Sequence, residues 1–190
     1  MRKFSGALFA VAILVAVLGI AAARQSAARD ELAAHYETAT LTGGCFWSLQ
    51  ETLRDIPGVI KTTAGYTGGM TANPTYELVT GGKSGHAEAV EVVFDPARLS
   101  YEQLLTDFLT MRNPTYKPAS AWSTSRSGIF YHSEEQRQTA ERVKEKVNQS
   151  GKWKSPVVTE ITAASKFYAA EKYHQDYHRK TSDAQSCSLF

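Results

Sequence analysis

Glu37-Thr38-Ala39-Thr40-Leu41-Thr42-Gly43-Gly44-Cys45-Phe46-Trp47-Ser48-Leu49-Gln50-Glu51-Thr52-Leu53-Arg54 changes character in mid-course. Glu37 to Leu41 reads as a β-run, the pattern from about Cys45 to Arg54 is helical, and two glycines mark a tight turn between them. A cysteine in the first turn of such a helix meets the positive end of the macrodipole and unpaired backbone N–H groups. Both favour thiolate over the reference pKa of about 8.5. Cys45 is therefore a nucleophile candidate. The residues leave a second reading open: a small buried side chain, or one half of a static disulfide with Cys187. Such a bridge would close a loop of about 140 residues and contribute roughly 4 to 5 kcal/mol.

Outward from this turn, short β-runs alternate with helical patterns. Val59 to Ala64 reads as a strand that stops at Gly65, Gly65 to Pro74 as a Gly-rich loop and Tyr76 to Thr80 as a short helix. His86 to Phe94 reads as a strand with Glu88, Val90, Val92 and Phe94 on one face. Ser100 with Gln103 and Ser133 with Gln136 are capping-box starts for helices reaching about Met111 and Asn148. Gly128 to Tyr131 and Val157 to Ala163 are further strands, and Lys166 to His178 is polar and aromatic. The alternation predicts one α+β or α/β sandwich.

The chain has 190 residues with 21 Lys+Arg against 19 Asp+Glu, and Arg2 and Lys3 account for the whole excess. A charge-neutral domain lacks the basic field that nucleic-acid binding needs. Residues 4–23 are uncharged and rich in Ala, Val, Leu and Ile. They follow a basic start and end in Ala21-Ala22-Ala23, which predicts a signal peptide or an N-terminal membrane anchor over 1–23. Residues 24–35 read as a tether and 36–190 as the domain. In either case the folded part is expected outside the cytoplasm.

A second set of motifs turns the balance at Cys45. Gly44-Cys45-Phe46-Trp47, Pro57-Gly58-Val59, Gly65-Tyr66-Thr67-Gly68-Gly69, Asn73-Pro74-Thr75-Tyr76, Gly85-His86-Ala87-Glu88 and Tyr173-His174-Gln175-Asp176-Tyr177 follow in this order. Together they resemble the A-type peptide methionine sulfoxide reductases over about Thr40 to Cys187. The resemblance implies an α+β, ferredoxin-like two-layer sandwich with a mixed sheet, and thiol reduction of the S epimer of methionine sulfoxide without a cofactor. Carried over by position, Cys45 attacks the sulfoxide sulfur, Phe46 and Trp47 hold the substrate methyl, and Tyr76 and Glu88 bind and protonate the oxygen. Tyr66 and His86 belong to the substrate-contacting set. Cys187 sits where a resolving cysteine is often found, and the resemblance implies a Cys45–Cys187 disulfide and a thioredoxin-like dithiol reductant. These roles are chemically sound. A sulfoxide oxygen leaves poorly unless protonated, and a carboxyl beside aromatic rings keeps its proton nearer neutrality.

The chain also departs from that pattern. Ser48 and Gln50 replace the usual Gly and Glu. The loop from Tyr116 to Ser125 is a few residues shorter than usual, has no Asp, and carries Ser125 where a second tyrosine is expected; Tyr116 and Trp122 are the candidate substitutes. His174 and His178 share i, i+4 spacing but have no recognisable partners for a metal site. Two rival functions follow from these residues. The altered loop suggests a non-catalytic relative that binds oxidised methionine or a protein partner. Cys45 with His86 suggests a cysteine hydrolase, although His86 reads better as a structural hydrogen-bonding residue.

Overall fold

The computed structural model describes residues 35–117, 120 and 123–181. The expected leader over 1–23, nearly all of the tether, Trp122 and Cys187 lie outside the described residues. Among the described residues no helix is long and apolar enough to cross a membrane.

From Glu37 onward the chain builds β1 (Glu37–Thr42), α1 (Phe46–Arg54), β2 (Val59–Thr67), α2 (Tyr76–Thr80), β3 (Ala87–Phe94), α3 (Tyr101–Thr110), β4 (Gly128–Tyr131), α4 (Glu134–Gln149), β5 (Glu160–Ala163), β6 (Tyr168–Ala169) and α5 (Tyr177–Lys180). The sheet order is β5-β4-β1-β3-β2-β6. All pairings are antiparallel except β4 with β5, so the sheet is mixed. The inner four strands, β4-β1-β3-β2, with α1 after β1 and α3 between β3 and β4, are the βαββαβ unit of a ferredoxin-like fold.

One face of the sheet carries the core. Ala39, Leu41, Ala64, Tyr66, Val90, Val92, Phe94 and Ile129 share it and pack against Leu49 and Leu53 of α1, Leu104, Leu105 and Phe108 of α3, and Val143 and Val147 of α4. The register explains this, because Leu41 lies opposite Val90 and Ile129, and Ala64 opposite Val90, so one parity of every strand points inward. The expected caps of α3 and α4 are present: Ser100 and Ser133 each accept from the N–H three residues on, at 3.1 Å.

Three expectations shift. Cys45 is the N-cap of α1, with extended backbone, and not a first-turn residue. β2 continues through Gly65 to Thr67. Gly65 is required there not to end the strand but because the paired edge strand β6 and the residue before it lie so close that a Cβ would overlap Phe167 and the Tyr168 carbonyl. The strand expected from Val157 begins only at Glu160, since the Val157 N–H donates to Asn148 Oδ1 and that of Val158 to the Pro114 carbonyl. Those donors are lost to any ladder.

The topology decides where chemistry collects. β1 and β2 end, and β3, β4 and β5 begin, at the same end of the sheet. Cys45, Tyr66, Glu88 and the segment 123–127 therefore meet there.

Candidate active site

The turn after β1 is built for close approach. Gly44 adopts φ +79°, and a Cβ on Gly43 would overlap the guanidinium of Arg112. Cys45 follows, and α1 starts at Phe46 with N–H groups that lack intrahelical partners. One of them, Phe46 N–H, donates to Glu88 Oε2 at 3.0 Å. The carboxyl of β3 thus sits on the first free donor after the cysteine. Burial pushes the Glu88 pKa up, and the Phe46 N–H only partly offsets it. Cys45 is disulfide-bonded in this structure. Cys187, expected as its partner, lies outside the described residues.

Rings enclose the same point. Phe46 is fully buried, with Tyr66 at 5.8 Å, Tyr76 stacked at 6.3 Å and His174 at 5.1 Å between centroids. Trp47 stacks on Tyr177 at 3.8 Å and 7°, and its indole N–H donates to His174 Nδ1 at 2.9 Å. That bond fixes the tautomer: Nδ1 accepts, so a neutral His174 carries its proton on Nε2, and burial lowers its pKa. Tyr76 is held by its backbone, whose N–H donates to Glu171 Oε1 at 3.0 Å. Burial, then the nearby Glu88 carboxyl, raises the Tyr76 pKa, so its phenol stays a donor.

Phe46, Trp47, Tyr76 and Glu88 are brought together around the Cys45 turn. Tyr66 and His86, read from the sequence as substrate-contacting, have other partners. The Tyr66 hydroxyl donates to Glu171 Oε2 at 2.8 Å from a fully buried ring, bracing the enclosure from behind. His86 Nδ1 accepts from Gly69 N–H at 3.2 Å, leaving Nε2 to donate to the Thr71 carbonyl at 2.8 Å. Both nitrogens are occupied in holding the Gly-rich loop. No basic lone pair remains for a Cys45–His86 hydrolase.

The Tyr173–Tyr177 motif carries residues whose roles the sequence left unassigned. Gln175 replaces a neighbouring strand for Ala64, accepting from its N–H at 2.9 Å and donating to its carbonyl at 2.8 Å. Gln50, one of the departures noted above, accepts from Asp176 N–H at 2.9 Å. Ser48, the other, lies 3.1 Å from His178 Nε2. Both departures thus have partners in the segment that carries Trp47's acceptor. His174 and His178 do not share a helix face, since α5 begins only at Tyr177; His174 engages Trp47 through Nδ1 and His178 engages Ser48 through Nε2. Among the described residues no group of His, Cys, Asp or Glu is arranged to hold a metal.

The altered loop reaches the site through its backbone. The Ser125 carbonyl accepts from Gly44 N–H at 3.1 Å and the Thr124 carbonyl from Glu88 N–H at 2.8 Å. The Ser125 hydroxyl faces that of Ser123 at 3.2 Å. Arg126 anchors the segment by donating to the Ser123 and Gly85 carbonyls. Tyr116, half exposed, lines a small cleft with Gly43, Gly44 and Ser125. Larger clefts lie at the starts of α3 and α4 and beside Arg126, and Cys45 lines neither.

A cysteine that leads a helix, next to a carboxyl whose pKa burial raises and with His86 committed to other partners, is equipped for thiol redox chemistry rather than acyl transfer. The molecule is thus an α+β thiol oxidoreductase. More narrowly, the chain belongs to the peptide methionine sulfoxide reductase family, whose model matches residues 37–189. It is 48% identical over 147 residues to the peptide methionine sulfoxide reductase MsrA of Listeria innocua, covering 76% of this chain and 83% of that one. Among solved structures it resembles Mxr1 from Saccharomyces cerevisiae in reduced form, with TM-score 0.75 and 27% identity over 82% of this chain and 91% of that one. It also resembles Mxr1 in complex with Trx2, with TM-score 0.56 and 25% identity over 76% of this chain and 86% of that one.

Proposed function

We propose that this protein reduces the S epimer of methionine sulfoxide, free or in proteins, by a two-cysteine cycle, and so repairs oxidised proteins. The observation that carries this reading is the Glu88 carboxyl seated on the Phe46 N–H beside Cys45, in surroundings that favour its protonated form. The substrate methyl lies against Phe46 and Trp47, and the Tyr76 phenol and Glu88 face the sulfoxide oxygen. The Cys45 thiolate attacks sulfur while Glu88 gives its proton to the oxygen. The hydroxyl then passes from the substrate sulfur to Cys45 Sγ as the S–O bond and the transient Sγ–S bond break, so that methionine leaves and Cys45 becomes a sulfenic acid. The Cys187 thiol then displaces water from that sulfenic acid to form a Cys45–Cys187 disulfide. The disulfide-bonded state of Cys45 accords with this end point. A thioredoxin-like dithiol restores both thiols; the yeast relative's complex with Trx2 supports a partner of that chemistry. The basic, then apolar residues 1–23 support a domain working outside the cytoplasm, secreted or held at the membrane.

Turnover of methionine S- and R-sulfoxide with dithiothreitol tests the reading, and methionine is expected from the S epimer alone. Cys45→Ser is expected to abolish it, because a hydroxyl can neither attack as a thiolate does nor pass through a sulfenic acid. Residual turnover above a few per cent in that variant would assign the chemistry to another group.

A further inference from the structure

Arg112, just beyond α3, is a buried cation without a counter-charge among the described residues. It is 6% exposed, and its bonds among the described residues run from Nη2, to the Thr42 carbonyl at 3.3 Å and to Ser127 Oγ at 2.6 Å. Nε is buried without a partner. The guanidinium stacks on Phe108, 4.1 Å from the ring centroid. Among the described residues no carboxylate pairs with it, and residues 116–127 contain no acid at all. A buried unpaired charge is costly and is seldom kept for packing alone. Its position shows what it faces. A Cβ on Gly43 would overlap the Cζ and both Nη atoms, so the cation lies flat on the backbone two residues before Cys45. Chain geometry then keeps the Cys45 Cα within about 7 Å of Gly43.

We propose that Arg112 acts on Cys45 as a fixed, desolvated positive charge behind the Gly43-Gly44 turn, holding the thiol more acidic than the helix start alone would. This rests on Cys45 being the reacting thiol. Burial pulls the guanidinium down to about 10, which leaves it charged at neutral pH. The other ionisable groups around Cys45 cannot supply this field. Glu88 of β3 and Glu171 before α5 oppose a thiolate when ionised, and the Tyr66 and Tyr76 phenols and neutral His174 bring no net charge. Arg126 on the loop has Glu160 4.0 Å away. Arg112 acts through Cys45 and is a positioning residue. At this separation and an effective dielectric near 20, one unscreened charge moves a pKa by about one unit.

The test is the pH dependence of Cys45 alkylation by iodoacetamide in reduced protein carrying Cys187→Ser. This needs no methionine sulfoxide and stays informative if the proposed substrate is wrong. Arg112→Met keeps the stem and removes the charge, and its midpoint should rise by about one unit, with Arg112→Lys restoring most of it. Ser127→Asp places a carboxylate on the intact guanidinium and should raise the midpoint similarly, which covers the case that Arg112→Met does not fold. In parallel, kcat/KM below the midpoint should fall about tenfold in Arg112→Met and converge with wild type at high pH. An unchanged alkylation midpoint in folded Arg112→Met, or in Ser127→Asp, would reduce Arg112 to an anchor for Thr42 and Ser127 and overturn the proposal.

Discussion

Glu88 is held between two opposed effects: burial raises its pKa and the Phe46 N–H partly restores the anion. Burial is the larger effect, so the net shift is upward, the direction a general acid requires. Glu88→Gln keeps the shape and a hydrogen-bond acceptor for Phe46 but has no proton to give. Its single-turnover rate should fall by a factor of about 10² or more, roughly 3 kcal/mol in the barrier. A rate within about threefold of wild type in rapid-quench measurements would move the proton to Tyr76 or water. The same residue fixes a pH dependence. A folded-state pKa above the unfolded one makes a native contribution that is intact below the ordinary carboxylate value of about 4.3 and is lost as pH rises through the raised value. Thermal melts should therefore show Glu88→Gln gaining stability over wild type at pH 8 and little at pH 4. The wild-type chemical step should slow on the alkaline side of the raised Glu88 pKa, a limb that Glu88→Gln lacks.

At the scale of elements, the site depends on two segments that cross it. Gly65 lets β6 pair closely with β2, and β6 leads into Glu171, His174 and Gln175. Gly65→Ala should destabilise the domain by about 1 to 3 kcal/mol through overpacking against Phe167 and Tyr168. Urea unfolding reads this, together with a loss of activity as the Trp47 acceptor shifts. The loop at 123–127 supplies backbone carbonyls to Gly44 and Glu88 but only a hydroxyl where the family resemblance led us to expect a phenol. A missing donor to a developing charge costs about 2 to 4 kcal/mol. Free methionine S-sulfoxide should accordingly show a low kcat/KM that rises in Ser125→Tyr. If that variant is unchanged while Tyr116→Phe is inactive, the phenol has moved to Tyr116, which lines the same cleft. Local signals were readable in advance: the Ser100 and Ser133 caps, the Gly43-Gly44 turn and the strand Gly128–Tyr131 each depend on neighbours in sequence. What could not be read depends on contacts far along the chain. Nothing local in Gly65 separates a strand stop from a close strand contact. Nothing near Trp47 foretells His174, 127 positions away, as its acceptor. Arg112 likewise carries no local signal of its position until the fold lays it on Gly43.

For the molecule as a whole, the ferredoxin-like sheet brings the candidate site residues to one end, while the second cysteine belongs to the chain's last residues, outside those described. Cys187→Ser should leave the first turnover intact and stop recycling by a dithiol reductase, since the sulfenic acid on Cys45 then has no internal thiol to condense with. If the bridge were only structural, its loss would instead lower the melting temperature strongly, as a disulfide closing so long a loop contributes several kcal/mol. The central claim is that one sulfoxide is reduced at Cys45 and the oxidation is passed on to Cys187. Mass spectrometry of the fully reduced protein after one equivalent of methionine S-sulfoxide reads both steps at once. The expected result is one equivalent of methionine, loss of two hydrogens from the protein, and a peptide joining Cys45 to Cys187. Unreacted sulfoxide with an unchanged protein mass would contradict the claim and leave a protein that binds oxidised methionine without reducing it.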